Sequence, residues 1–239
     1  ALPICALSQM STDNFAALDS TQLSGLTTTQ VAFITTAQIG VLTSDDIDGL
    51  TTLAISALSS AQVAAMSTEN LASLSTEQVS ALRTSVFSSL SSGQVRALTS
   101  EQIGVLTTAQ LGLLSSAAIA GLETEDMPTL SSAELATLST RTITALSTEN
   151  FAVLTSDQLV GLTTNQVAAL TTGQVATLTS SQVDGLTTGQ VAVAVGATAY
   201  AWGGRFAGTD NAYALAKKYK IKTGWGSDTL FDAKLAARQ

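Results

Sequence analysis

The chain has 239 residues and a formal net charge of −8, with no His, one Cys (Cys5), 12% charged residues and 5% aromatic residues. Without His it has no Ser-His-Asp or Cys-His nucleophile, no imidazole base and no His-bearing metal site, and one Cys makes neither an intramolecular disulfide nor a multi-thiolate cluster. Ten basic residues against 18 acidic ones argue against nucleic-acid binding, and 45% hydrophobic residues argue against a disordered acidic chain.

Residues 1–9 read as a degenerate first repeat unit, with Leu2 in phase with the later leucines. From Met10 to Val193 the chain is an uninterrupted array of 23 eight-residue units. The first position of each unit is Leu, except for Met10, Ile34 and Met66. A typical unit is Leu162-Thr163-Thr164-Asn165-Gln166-Val167-Ala168-Ala169. Ser or Thr fills the second position in 20 of 23 units, the exceptions being Asp19, Arg83 and Glu123, and fills the third in all 23. The fifth is Gln in 13 units, the sixth is always apolar, and the last two are mostly small.

A continuous α-helix cannot use this period. Eight residues at about 100° each leave successive Leu residues about 80° out of phase. A continuous strand fails too, because the first and sixth positions have opposite parity and would point to opposite faces. The chain therefore turns once per unit. Thr163-x-x-Gln166 matches a capping box, and Leu162 and Val167 occupy the two positions of a hydrophobic staple. Each unit thus starts a helix that lasts about six residues before the next cap. Helices that short are unstable alone and must stack. The expected fold is an all-α solenoid of short capped helices, one per repeat, with a small helical C-terminal segment. The alternative is a β-solenoid, favoured by the Thr, Val and Ile content. Gly25, Gly49 and Gly121 share a register in multiples of 24, as do Gly161 and Gly185, which hints at three units per superhelical turn although the two groups are out of phase.

Residues 194–239 form a distinct C-terminal segment. Residues 1–199 hold 3 basic and 15 acidic residues (net −12), whereas residues 200–239 hold 7 basic and 3 acidic (net +4). Two readings stand side by side. The segment caps the open end of the solenoid, or it docks a partner or another copy. The candidate docking residues are Tyr200, Trp202, Arg205, Phe206, Tyr213, Lys217, Lys218, Tyr219, Lys220, Lys222 and Trp225. Attraction between a +4 segment and a −12 rod would allow head-to-tail assembly weakened by salt.

No catalytic, cofactor or metal residues are expected. Asp45-Asp46-Ile47-Asp48 and Glu123-Thr124-Glu125-Asp126 lack EF-hand spacing and read as solvated faces. Trp202-Gly203-Gly204-Arg205 lacks the spacing of a nucleotide fingerprint. The apolar run from Val191 to Trp202 is too short to span a bilayer, and the start shows no signal-peptide pattern. The third-position hydroxyl is not required by the capping box, so ranks of Ser and Thr are left that could bind glycan, ice or another copy.

The octads at Leu26–Phe33 and Leu162–Ala169 resemble octapeptide repeats of large secreted or surface proteins of bacteria, and similar arrays occur in phage-encoded proteins. The resemblance covers 184 residues and implies a structural role without enzymatic activity. The expected function is a building block of an extracellular or cell-surface assembly such as a filament, layer or adhesin stalk. The alternatives are a virion component, such as a tail fibre or decoration protein, and a glycan-binding module. The expected partners are copies of the same chain or another structural protein.

Overall fold

The computed structural model describes residues 4–187 and 189–191. Among these residues there are 21 short α-helices up to Ser180–Gly185 and two 3-10 helices, residues 189–191 are helical as well, and there is no strand. The fold is the all-α solenoid, and the β-solenoid alternative is overturned. The small helical C-terminal segment expected after residue 193 lies outside the described residues.

Helices start where the second-position side chain caps them. In all 20 α-helices from Thr12–Ala16 to Ser180–Gly185, the N-cap side chain accepts from the backbone N–H three residues on. This satisfies one of the N–H groups that every helix start leaves orphaned. They end one turn later, when the next first-position residue is extended (Leu50 φ −74°, ψ 129°) and its N–H donates to the sixth-position carbonyl (Leu50 N to Ile47 O, 3.0 Å).

Two units depart from the α form, and both lack the cap. Arg83 replaces Ser or Thr and Val86 replaces Gln in the unit that forms the 3-10 helix Thr84–Ser89. Glu123 stands at the cap position of the unit that forms Met127–Thr129, which also carries Pro128. With no N-cap side chain accepting from a first-turn N–H, the tighter 3-10 form wins.

The helices that pack most closely are 24 residues apart: Ser20–Ser24 against Ser44–Gly49, Ser132–Thr137 against Ser156–Gly161, Thr52–Ser56 against Thr76–Ala81. Three units therefore make one superhelical turn, and the solenoid is three-sided, each side a column of helices stacked one per turn. The glycine hint is correct in period. Its physical basis is close approach, since a Cβ on Gly49 would lie 2.6 Å from Ser20 of the preceding turn. Sixth-position side chains from Leu7 to Val167 are fully buried or nearly so, and first-position side chains from Ile34 to Leu162 join them in one core running the length of the array. Three phenylalanines, Phe15, Phe87 and Phe151, take sixth positions with no exposure.

Candidate functional surface

The polar residues of each unit have one dominant task, and the fifth position shows it. In 14 helices the capping box is complete, with Gln at the fifth position in 12 and Asp46 and Glu134 in the others. Gln does more than cap. In Gln62, Oε1 accepts from the Ser59 N–H (2.7 Å), while Nε2 donates to the carbonyls of Ile34 (2.7 Å) and Val31 (2.8 Å). Ile34 O sits in the extended link between two helices, where no helical donor reaches it. Val31 O already takes the Ile34 N–H (3.2 Å) and has a second lone pair free. A Gln placed in this way thus satisfies its own helix start and the corner carbonyls of the turn before. Among the described residues the bonds of eleven glutamines, from Gln38 to Gln190, follow this pattern over a separation of 28 to 31 residues.

The capping box alone did not reveal this second role, because Glu completes the box equally well. The signal in the sequence was the choice of Gln over Glu, since only the amide has N–H groups to give away. Asn confirms the point by being one methylene short. Asn70 and Asn150 give up the box and keep the bond to the previous turn, at Leu42 O (2.8 Å) and Leu122 O (2.7 Å).

The acidic clusters are not wholly solvated faces. Asp45 and Asp48 are exposed, but Asp46 and Asp126 sit buried at fifth positions. Asp46 Oδ2 accepts from the Thr43 N–H (2.8 Å) and hydroxyl (2.7 Å). Asp126 accepts from the Glu123 N–H (2.8 Å) and, across turns, from the Ser100 hydroxyl (2.9 Å). Among the described residues, no three His, Cys, Asp or Glu side chains come together as a metal-ligand set.

The third-position hydroxyls remain on the outside. None among the described residues is buried. Ser60, Ser100 and Ser156 reach a neighbouring turn, at Ser85 O (3.1 Å), Asp126 Oδ1 (2.9 Å) and Ser181 O (3.4 Å). Thr76, Thr124 and Thr148 instead donate to the next residue's carboxylate, those of Glu77, Glu125 and Glu149 (3.4, 3.0 and 3.2 Å). Glu77 and Glu149 are held below the ordinary carboxylate value. The largest cause in each is the residue's own backbone N–H; after it come Ser75 and then Thr76 for Glu77, and Thr148 and then Ser147 for Glu149. Arg83 sends its guanidinium to Ser56 O (2.9 Å) and Ala57 O (3.3 Å) of the preceding turn, and Arg96 pairs with Glu123 at 3.5 Å on the surface.

The candidate docking residues Tyr200, Trp202, Arg205, Phe206, Tyr213, Lys217, Lys218, Tyr219, Lys220, Lys222 and Trp225 all lie outside the described residues. No helix among the described residues is long and apolar enough to cross a membrane.

A search of curated proteins found no match. The ALTTAQ repeat profile matches at residues 7–44, 41–76, 55–92, 76–108, 84–116, 119–156 and 127–164, which together span more than half of the chain. The eight-residue unit therefore coincides in sequence with a recognised repeat type: the chain belongs to the ALTTAQ repeat family.

Proposed function

We propose that this protein is a non-enzymatic structural spacer, a building block of an extracellular or cell-surface assembly of a bacterium or of a phage particle. The observation that carries the reading is the glutamine ladder. In most units the N-cap hydroxyl is spent on its own helix start and the fifth-position amide on the bond to the turn before. Such a unit can be multiplied without changing its chemistry, which suits a part whose job is length and stiffness. The basic segment 200–239 then serves as the joint between copies.

Electron microscopy of the purified protein at low salt tests this. Fibres or layers are expected, and they should be lost on deletion of residues 200–239. Isolated rods at every salt and protein concentration would overturn the reading.

The outward-facing third-position hydroxyls favour a second reading, a glycan-binding face. Glycan-array binding by the full chain would support it, and its absence would retire it.

A further inference from the structure

One face of the solenoid is marked by charge. The fourth position faces solvent and is occupied by residues of many kinds, yet in one column it is Glu on four successive turns: Glu77, Glu101, Glu125 and Glu149, each 24 residues after the last and each exposed. Across the same stretch the fourth positions of the second column read Glu69, Gly93, Ala117 and Arg141, and those of the third read Ser85, Ala109, Ala133 and Asp157. Glu early in a helix complements the macrodipole, but that benefit is available to every unit and does not confine Glu to one column. The helices bearing Glu77 and Glu101 pack directly on each other, and Asn150 bonds across to Leu122 beside Glu125, so the four carboxylates form one continuous row. None of the four makes an ion pair among the described residues. The same column exposes Leu53 (68%), Val105 and Val153.

We infer that this row is the docking surface for the lysine-bearing segment, residues 217–222, of a second copy of the chain. The inference rests on the assembly reading above and names the surface that the basic segment would meet. The complementarity is in number and in length. The segment carries four lysines, Lys217, Lys218, Lys220 and Lys222. Stacked helices lie about 8–10 Å apart, so the row spans about 24–30 Å. Six extended residues span about 20 Å, and lysine side chains extend that reach further. Carboxylates at that spacing repel each other at low ionic strength, since the spacing is comparable to the Debye length, and a tetravalent basic segment relieves all four at once. The exposed apolar side chains on the same column give the neighbouring tyrosines, Tyr213 and Tyr219, a place to pack.

The experiment uses the full chain and sedimentation velocity at low and high salt. Wild type should associate at low salt and dissociate at high salt. The variant E77Q/E101Q/E125Q/E149Q should lose the low-salt association. A control that removes the same charge from the other two columns, D13N/D45N/E69Q/D157N, should keep it. Equal association of both variants would overturn the assigned surface. A monomeric wild type whose segment 200–239 is protected from protease only while the glutamates are present would also overturn it, by showing that the segment folds back on its own chain. If deletion of residues 200–239 abolishes association and the glutamate variant does not, the joint stands and only this surface is wrong. If deletion leaves association intact, the joint itself is wrong.

Discussion

Gln62 and Ile34 stand 28 residues apart in sequence and are joined by a 2.7 Å hydrogen bond from the Gln62 amide to the Ile34 carbonyl. The same amide caps its own helix through the Ser59 N–H. Repeated in unit after unit, this contact makes each turn of the solenoid the partner of the next, and it sets a ranking of substitutions. At Gln166, which bonds Leu135 O (2.8 Å) and Leu138 O (2.7 Å), Asn should be mildest, because it keeps the bond to the turn before as Asn70 and Asn150 do. Ala should cost about 1–3 kcal/mol by leaving the Leu138 carbonyl and the Thr163 N–H without partners, while Leu135 O keeps only the Leu138 N–H (3.2 Å). The same loss is expected at Gln174 and Gln182, and denaturant unfolding of the single and triple variants measures it. Unchanged midpoints would remove the glutamine ladder from the account of stability.

Gln166→Glu separates capping from the inter-turn bond. It preserves the box but presents a buried carboxylate to two carbonyl oxygens, so it should cost on the order of 3 kcal/mol at neutral pH, more than Ala. Burial beside two carbonyl oxygens, against which the Thr163 N–H is the lesser influence, raises the folded-state pKa of the new carboxyl above its unfolded value. The penalty is then fully present above the raised folded value, shrinks as pH falls, and is absent below the unfolded value, where the protonated acid donates to one of the carbonyls. Melting of variant and wild type compared from pH 7 to pH 4 should show the gap closing. A gap independent of pH would mean that the side chain had turned out to solvent.

Much of this fold was legible in the sequence because each unit repeats its own instructions. Thr163 and Gln166 announce a helix start, and Leu162 and Val167 announce which side is buried. The partner of each unit was less legible. A hydrogen bond between Gln62 and Ile34 leaves no mark on either residue beyond the preference for an amide over an acid, and only the glycine spacing pointed to a 24-residue turn. The glutamate row was hidden for the same reason, since Glu77 and Glu101 become neighbours only once the turn length is known. The candidate docking residues Tyr200 to Trp225 lie beyond the repeat in sequence, where its period gives no guide.

Glycine at the eighth position should respond according to what lies beneath it. A Cβ on Gly49 would meet Ser20 backbone and side-chain atoms at 2.6 Å, whereas one on Gly25 would meet nothing nearer than the Gln22 carbonyl at 3.5 Å. Gly49→Ala should therefore cost about 1–3 kcal/mol through forced separation of two turns. Gly25→Ala should be neutral or stabilising by up to about 1 kcal/mol, through reduced freedom of the unfolded chain. Thermal unfolding of the pair checks this, and equal effects would show that the turns are not held at that separation.

The uncapped unit at residues 82–89 can be repaired. Arg83→Ser with Val86→Gln restores the cap and the amide, which at that register would reach Ile55 O and Leu58 O of the turn before. The double variant should gain about 1 kcal/mol and convert the 3-10 helix Thr84–Ser89 to α. Stronger helical circular dichroism with a higher Tm is the expected result. Val86→Gln alone should fall short, because without Ser the first turn still lacks its cap. A loss of stability in the double variant would show that the Arg83 bonds to Ser56 O and Ala57 O matter more than the cap they replace.

Acid should act on the helix starts through Glu77 and Glu149, whose carboxyls sit below their ordinary value because each accepts from its own backbone N–H and from neighbouring hydroxyls. A depressed folded-state pKa stabilises the protein above the unfolded value of about 4.3, and that contribution is lost as pH falls through the lowered values. Glu77→Gln with Glu149→Gln removes the contribution at neutral pH and leaves nothing to lose in acid. The difference in Tm between wild type and this variant should be greatest above about pH 5 and should vanish below the lowered values. Both carboxylates are fully exposed, so salt should shrink the difference as well. A Tm difference that persists unchanged into strong acid would show that the glutamates act through packing and not through their charge.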